Sequence, residues 1–175
     1  MTEETGENRE KIYTVDRTGN LISLEYRDIL HLAKSSKLHA AVIGMLRRSD
    51  GKYLLQRRAS IKLGGSRLDV SATTHVRNAE TYETALLRSF QNELRISDRL
   101  NLDHLFDFTY QEELGEHKEN EFCKVYLAIY DGRYDRNPSE IDDVEFKTLK
   151  ELKEYVSENE PKTTKWLRET VKRLS

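Results

Sequence analysis

The sequence predicts an α+β fold, a single domain in which a mixed β-sheet is sandwiched between α-helices. Three observations predict it. Two pairs of apolar runs are joined by short turns, Arg17-Thr18-Gly19-Asn20 and Ser49-Asp50-Gly51-Lys52, which is the grammar of β-hairpins. From Thr81 to Arg95, the residues Tyr82, Ala85, Leu86, Phe90 and Leu94 recur at three-to-four-residue spacing and make the apolar stripe of a packed helix. The run EFCKVYLAIYDG, beginning at Glu121, is nearly all apolar, as befits a central strand, and two helical segments follow it.

In chain order, residues 1–10 are polar and read as a disordered N-terminal tail, leaving 11–175 as the domain. KIYTVD and LISLEY form the first hairpin, with Gly19 and Asn20 supplying the turn chemistry. RDILHLAKS reads as a short helix containing His31, and Lys37-Leu38 leads into His39. HAAVIGMLRR and YLLQRR form the second hairpin around Asp50-Gly51. The basic loop ASIKLGGSR follows, in which Gly64-Gly65 permits close approach of the backbone. LDV is a short strand, and a polar loop with Thr73, Thr74 and His75 precedes the Thr81–Arg95 helix. LFDFTYQEEL and EFCKVYLAIYDG are strands joined by GEHKEN. DDVEFKTLKEL is a strand feeding a helix, and PKTTKWLRETVKRLS is a terminal helix with Pro161 near its start.

Composition narrows the function classes. At 175 residues, 37% hydrophobic and 34% charged, the chain has a heavily charged surface and enough length for one sizeable core. No apolar run approaches the ~20 residues of a membrane span, and MTEETGENREK lacks the basic and apolar regions of a signal peptide, so a cytoplasmic protein is expected. The single Cys123 excludes an internal disulfide and fits a reducing compartment, where it reads as buried filler in a strand. A net charge of −2 gives no basic footprint for nucleic acid.

The chemistry sits on the other flank of the Thr81–Arg95 helix. Ser89, Asn92 and Glu93 fall at i, i+3 and i+4 and share one face, with Glu80 at the helix entrance and Arg88 within it. This stretch resembles the Nudix box, in which a glycine is followed at fixed spacing by Glu, then Arg-Glu, an apolar residue, Glu-Glu, glycine and an apolar residue. Glu80, Arg88, Phe90, Glu93 and Ile96 match; Thr74, Ser89, Asn92 and Arg95 depart. The resemblance implies a Nudix-like sandwich. In the box the glutamates form an oxygen cage for Mg²⁺. Here Glu93 alone remains on that face, so a Mg²⁺ there would lean on charge brought by a substrate diphosphate. A box thinned in this way resembles the type I isopentenyl diphosphate isomerase branch of the superfamily.

That branch resemblance implies a second, distinct metal set. His31, His39 and His75, with Glu119 and Glu121 of the Glu-Asn-Glu run, occupy the positions of its ligands. A mixed nitrogen and oxygen set suits Mn²⁺, Zn²⁺ or Fe²⁺. Glu119 and Glu121 lie two apart on an extended chain and so point to the same side. For the diphosphate, the resemblance implies Arg58 and Lys62, with Arg57 beside them and Arg27 in the place of a family lysine; Ser89 stands where the family has a further arginine. Tyr110 matches a tyrosine beside the catalytic acid, and Trp166 a tryptophan that closes over the substrate. His104 and His117 read as surface residues. The departure that bears most on function is Thr73, which stands where the family has a cysteine; a hydroxyl is far less acidic than a thiol. The expected function is therefore metal-dependent action on a small-molecule diphosphate, with hydrolysis of a nucleotide-type diphosphate foremost. The candidate catalytic residues are Glu121, Thr73, Tyr110 and Glu93. The alternatives are isopentenyl diphosphate isomerisation without the cysteine, and a catalytically silent ligand-binding module.

Overall fold

The computed structural model describes residues 9–32 and 37–175. The tail predicted for 1–10 falls largely outside them, as does the end of the helix predicted from Arg27. Arg9 and Glu10 are described, and Glu10 is tied down: its carbonyl accepts from the Arg27 backbone amide at 2.9 Å.

Nine strands form one mixed sheet among the described residues. Its spine is β3 (His39–Arg47), which pairs with β1 (Lys11–Val15), β4 (Tyr53–Arg58), β6 (Ala72–His75) and, in parallel, β8 (His117–Ile129). The first hairpin closes onto β2 (Leu21–Tyr26), and β4 pairs with β5 (Leu68–Asp69) and β9 (Ile141–Lys147). β7 (Asp103–Leu114) pairs antiparallel with β8 over its length.

Alternation along β3 explains the sandwich. Ala40, Val42 and Leu46 face one apolar cluster, which contains Tyr82, Ala85, Leu86, Phe90 and Leu94 of α2 (Tyr82–Leu94). Ala41, Ile43 and Met45 face the other, which contains Leu152 and Val156 of α3 (Leu149–Glu158) and Leu167 and Val171 of α4 (Lys165–Arg173). All five residues of the predicted apolar stripe are buried. The first helix, α1, is the single turn Arg27–Leu30. Thr81 caps α2 through a capping box with Thr84, and Thr148 caps α3 with Glu151.

Close contact between α2 and the sheet depends on Gly44. A Cβ built there would fall 2.6 Å from Leu86 Cδ1 and nearer still to Phe90 Cζ. Gly44→Ala is accordingly expected to destabilise the domain by ~1–3 kcal/mol through overpacking. Urea unfolding measures this, and an unchanged midpoint would contradict it.

Four expectations are corrected. The segment containing His31 is helical for one turn only, and His31 follows it. The chain leaves the helix because Leu32 bridges His117 and the Lys118 amide donates to the His31 carbonyl at 2.9 Å, which carries His31 to the start of β8. Thr73, Thr74 and His75 lie in strand β6 rather than a loop. The GEHKEN connection shrinks to Gly115-Glu116, because Leu114 and His117 already pair and the glutamates belong to β8. Pro161 lies in a 3-10 turn, Glu160–Lys162, and α4 begins only after Thr164, whose amide donates to Leu68 O at 3.0 Å.

Candidate active site and metal centre

Strand register assembles the centre. On β3 and β8, His39 pairs with Glu121; on β3 and β6, Ala41 pairs with His75. His39, His75 and Glu121 thus come together from three strands, Glu119 lies two residues upstream on β8, and the Leu32 bridge adds His31. The Nε2 atoms of His31, His39 and His75 lie 3.1, 3.4 and 3.9 Å from Glu119 Oε2. His75 Nε2 is 2.8 Å and His39 Nε2 3.9 Å from Glu121 Oε1. His31, His39, Glu119 and Glu121 are buried, His39 completely, and the His75 side chain keeps 14% of its surface exposed.

The protonation pattern favours a cation among them. His31 Nδ1 is 2.6 Å from Arg27 O and His39 Nδ1 is 3.0 Å from Lys37 O. Only an N–H can point at a carbonyl oxygen, so both rings carry a hydrogen on Nδ1, and the neutral form of each ring offers an Nε2 lone pair to the centre. Glu119 Oε2 faces them with lone pairs of its own. His31 Nε2, His39 Nε2 and Glu119 Oε2 are buried without a hydrogen-bond partner. Acceptors confronting acceptors in a buried space are costly unless a proton or a cation joins them. Backbone-oriented imidazoles with Nε2 free are also the usual arrangement around a ligated ion. The residues therefore fit a divalent metal.

Charge reinforces this. Burial alone would raise Glu119, but the imidazoles of His117, His31, His39 and His75 around it hold its carboxyl far below the usual range. Burial lowers His31 despite its contact with Glu119. Burial would lower His75 too, yet hydrogen bonds to Glu119 and Glu121 push it up to about 9. A group raised in the folded state stabilises fully below its unfolded pKa of 6.5 and loses that contribution as pH rises through about 9. The metal-free chain is therefore expected to lose thermal stability between these values, whereas an ion bound at pH 7.5 would displace the His75 proton. Calorimetric titration in buffers of different ionisation enthalpy should reveal release of about one proton. Heats independent of the buffer would contradict this.

His75, Glu119 and Glu121 of the centre line a cleft of about 230 Å³. Thr73, Tyr110, Glu93, Arg58, Lys62 and Trp166 line it, as Arg27, Arg77 and Arg88 also do. Tyr110 donates to Glu121 Oε2 at 2.8 Å, and Cys123 Sγ lies 3.5 Å from the same oxygen. Burial first, and the neighbouring Glu121 second, raise the Tyr110 phenol and the Cys123 thiol well above their ordinary values. Thr73 Oγ1 donates to Val42 O at 3.0 Å. Glu93 accepts from Gln56 Nε2 at 2.7 Å and from the Ser89 hydroxyl, and burial raises its pKa.

The basic residues are mostly spoken for. Arg58 donates to Asp69 Oδ2 at 2.8 Å and to Leu63 O at 3.0 Å, with its guanidinium 5.2 Å from the Trp166 ring centroid. Asp69 also accepts from Trp166 Nε1 at 2.5 Å and Thr164 Oγ1 at 2.9 Å. Lys62 pairs with Glu140, Arg88 with Glu80, and both Arg27 and Arg77 with Glu10. Arg57 does not join the cleft: alternation along β4 turns it away from Arg58, and it pairs with Glu145.

Sequence reasoning missed Asp69, Gln56, Glu140 and Arg77, and it left His117 on the surface. His117 Nε2 lies 2.8 Å from Glu119 Oε1, and its ring stacks on His31 with centroids 4.3 Å apart. His104 is half exposed, paired with Asp107.

A mixed sheet between helices, with an Arg88–Glu80 pair at the start of its second helix and a cation-competent cleft beside it, defines the class. The chain belongs to the NUDIX family, whose domain matches residues 37–173. It is 29% identical to an isopentenyl-diphosphate Delta-isomerase of Serratia proteamaculans over 167 residues, 94% of this chain and 91% of that protein. It is 27% identical to isopentenyl-diphosphate Delta-isomerase 1 of Photorhabdus laumondii over 161 residues, 91% of each. A crystal structure of a Deinococcus radiodurans protein superposes with a TM-score of 0.76 at 25% identity, covering 94% of this chain and 98% of that one. A MutT protein from Methanosarcina mazei shares the fold, with a TM-score of 0.64 at 16% identity over 78% of this chain and 91% of that one. No helix among the described residues is long and apolar enough to cross a membrane.

Proposed function

We propose that the chain is a divalent-metal-dependent enzyme acting on a small organic diphosphate, and that its reaction is hydrolysis of a nucleotide-type diphosphate. One observation carries this reading: His31, His39, His75 and Glu119 bring ligand atoms within 4.8 Å of one another, with orphaned polar atoms on His31, His39 and Glu119 and with Glu121 Oε1 2.8 Å from His75 Nε2, beside a cleft whose walls hold several cations. An ion such as Zn²⁺, Mn²⁺ or Fe²⁺, held by His31, His39, His75, Glu119 and Glu121, would supply positive charge that polarises a phosphoryl oxygen and acidifies water. Arg58 and Lys62 bind the diphosphate oxygens, the arginine as a planar fork and the lysine as a point charge. Glu121 accepts the proton of the attacking water. Tyr110 stays protonated and donates to Glu121 Oε2, fixing the base in place. Glu93, committed to Gln56 and Ser89, offers no carboxylate cage of its own, so any Mg²⁺ near it would arrive with the diphosphate. Trp166 forms the apolar wall.

Thr73 favours hydrolysis over allylic isomerisation. Moving a double bond needs one group to give a proton and another to take one, and the Thr73 hydroxyl is already directed at Val42 O. Hydrolysis needs one base. Isomerisation is the second reading, supported by the two isomerase relatives and by the Tyr110–Glu121 pair, with the Tyr110 ring 6.0 Å from the Trp166 ring. The deciding experiment supplies the metal-loaded chain with nucleoside di- and triphosphates while following phosphate release. In parallel it supplies isopentenyl diphosphate in heavy water while following deuterium uptake. Phosphate release without deuterium uptake is expected. The reverse establishes the isomerase, and neither reaction leaves a silent binding module.

A further inference from the structure

We propose that His117, which nothing in the box or in the ligand pattern singles out, is a positioning residue that sets how Glu119 meets the ion; this rests on the metal-centre reading above. Two contacts carry it. His117 Nε2 lies 2.8 Å from Glu119 Oε1. A carboxylate oxygen accepts, so Nε2 carries the hydrogen and donates. The remaining oxygen, Oε2, is the one facing the Nε2 atoms of His31, His39 and His75. Glu119 is thereby split into one oxygen saturated by His117 and one offered to the cation. Glu119 would thus offer a cation a single oxygen, Oε2.

The second contact is the ring stack. The His117 and His31 planes are 16° apart with centroids 4.3 Å apart, so His117 also covers the face of a ligand ring whose Nδ1 is held by Arg27 O. Two ligands from separate segments are braced by one side chain. His117 itself is directed elsewhere: its Nε2 meets Glu119 Oε1, whereas the Nε2 atoms of His31, His39 and His75 gather on the Oε2 side. Alternation along β8 makes this possible, since His117, Glu119 and Glu121 sit two apart and share a face.

The test uses the full chain, stripped with chelator and titrated with Zn²⁺ against a chromophoric competitor. His117→Phe keeps a ring for the stack and removes the donor; His117→Gln restores an N–H near Nε2. A donor lost from around a metal ligand costs about 10–100-fold in affinity, the loss expected for His117→Phe, with most of it recovered by His117→Gln. Equal affinity in all three, or no recovery by Gln, overturns the role. The unsubstituted chain loaded with Zn²⁺ gives a readout that needs no variant: ¹⁵N NMR should show His117 Nε2 protonated, and the Nε2 atoms of the other three imidazoles deprotonated and ligating. A ligating His117 Nε2 overturns the role. Failure of the unsubstituted chain to bind Zn²⁺ overturns the centre and His117's part with it, whereas normal binding indifferent to His117 overturns the positioning alone.

Discussion

Glu121→Gln is expected to lower turnover on the diphosphate substrate by roughly 10²–10⁴-fold, the range in which a positioned acid or base acts. The amide has nearly the same shape as the carboxylate, so its carbonyl can still accept from Tyr110, which donates to Glu121 Oε2 at 2.8 Å. What disappears is the capacity to take a proton. Tyr110→Phe removes only the hydroxyl and should cost less, because the base survives and loses its tether. Metal content is measured beside rate in both variants, since Glu121 Oε1 also lies 2.8 Å from His75 Nε2. A Glu121→Gln protein that keeps its ion and its rate would mean that the proton is handled elsewhere.

Asp69→Ala is expected to be the most destabilising single change in the cleft wall. Asp69 is fully buried and accepts from Arg58, Thr164 and Trp166 together. Its removal leaves the Arg58 guanidinium, with only a tenth of the side chain exposed, without its counter-charge. Breaking a buried pair from one side costs ~3–5 kcal/mol, or roughly 6–20 °C in Tm for a domain of this size. Trp166 is the only tryptophan, so its emission reports directly on the released indole. A thermal midpoint and an emission maximum both unchanged would show that Asp69 does not anchor α4.

Periodicity made much of this legible. The apolar stripe of α2, the hairpins and the buried β8 follow from spacing alone, and both caps of α2 fall where the run begins and ends, at Thr81 and Arg95. What was not legible depends on partners remote in sequence. Thr73 and His75 look like loop residues until β3 is seen to supply their hydrogen bonds. The helix around His31 stops after one turn because Leu32 finds β8, a contact no local propensity encodes. Asp69 carried no signal either: a charge in a two-residue strand is unremarkable until Arg58, Thr164 and Trp166 close on it. His117 is different. The same two-residue alternation that puts Glu119 beside Glu121 puts His117 beside Glu119, and carrying that step one place upstream would have found it. Arg57 and Arg58 teach the converse, since neighbours on a strand serve opposite faces and only Arg58 reaches the cleft.

The proposed function requires His31, His39, His75, Glu119 and Glu121 to share one ion. Titrating the chelator-stripped chain with Zn²⁺ or Mn²⁺ while measuring bound metal tests it most directly. One ion per chain is expected, with binding abolished in His39→Ala and Glu119→Ala and kept in a variant of the distant pair, His104→Ala. No bound ion, or an ion retained equally in all three variants, would rule out a shared centre.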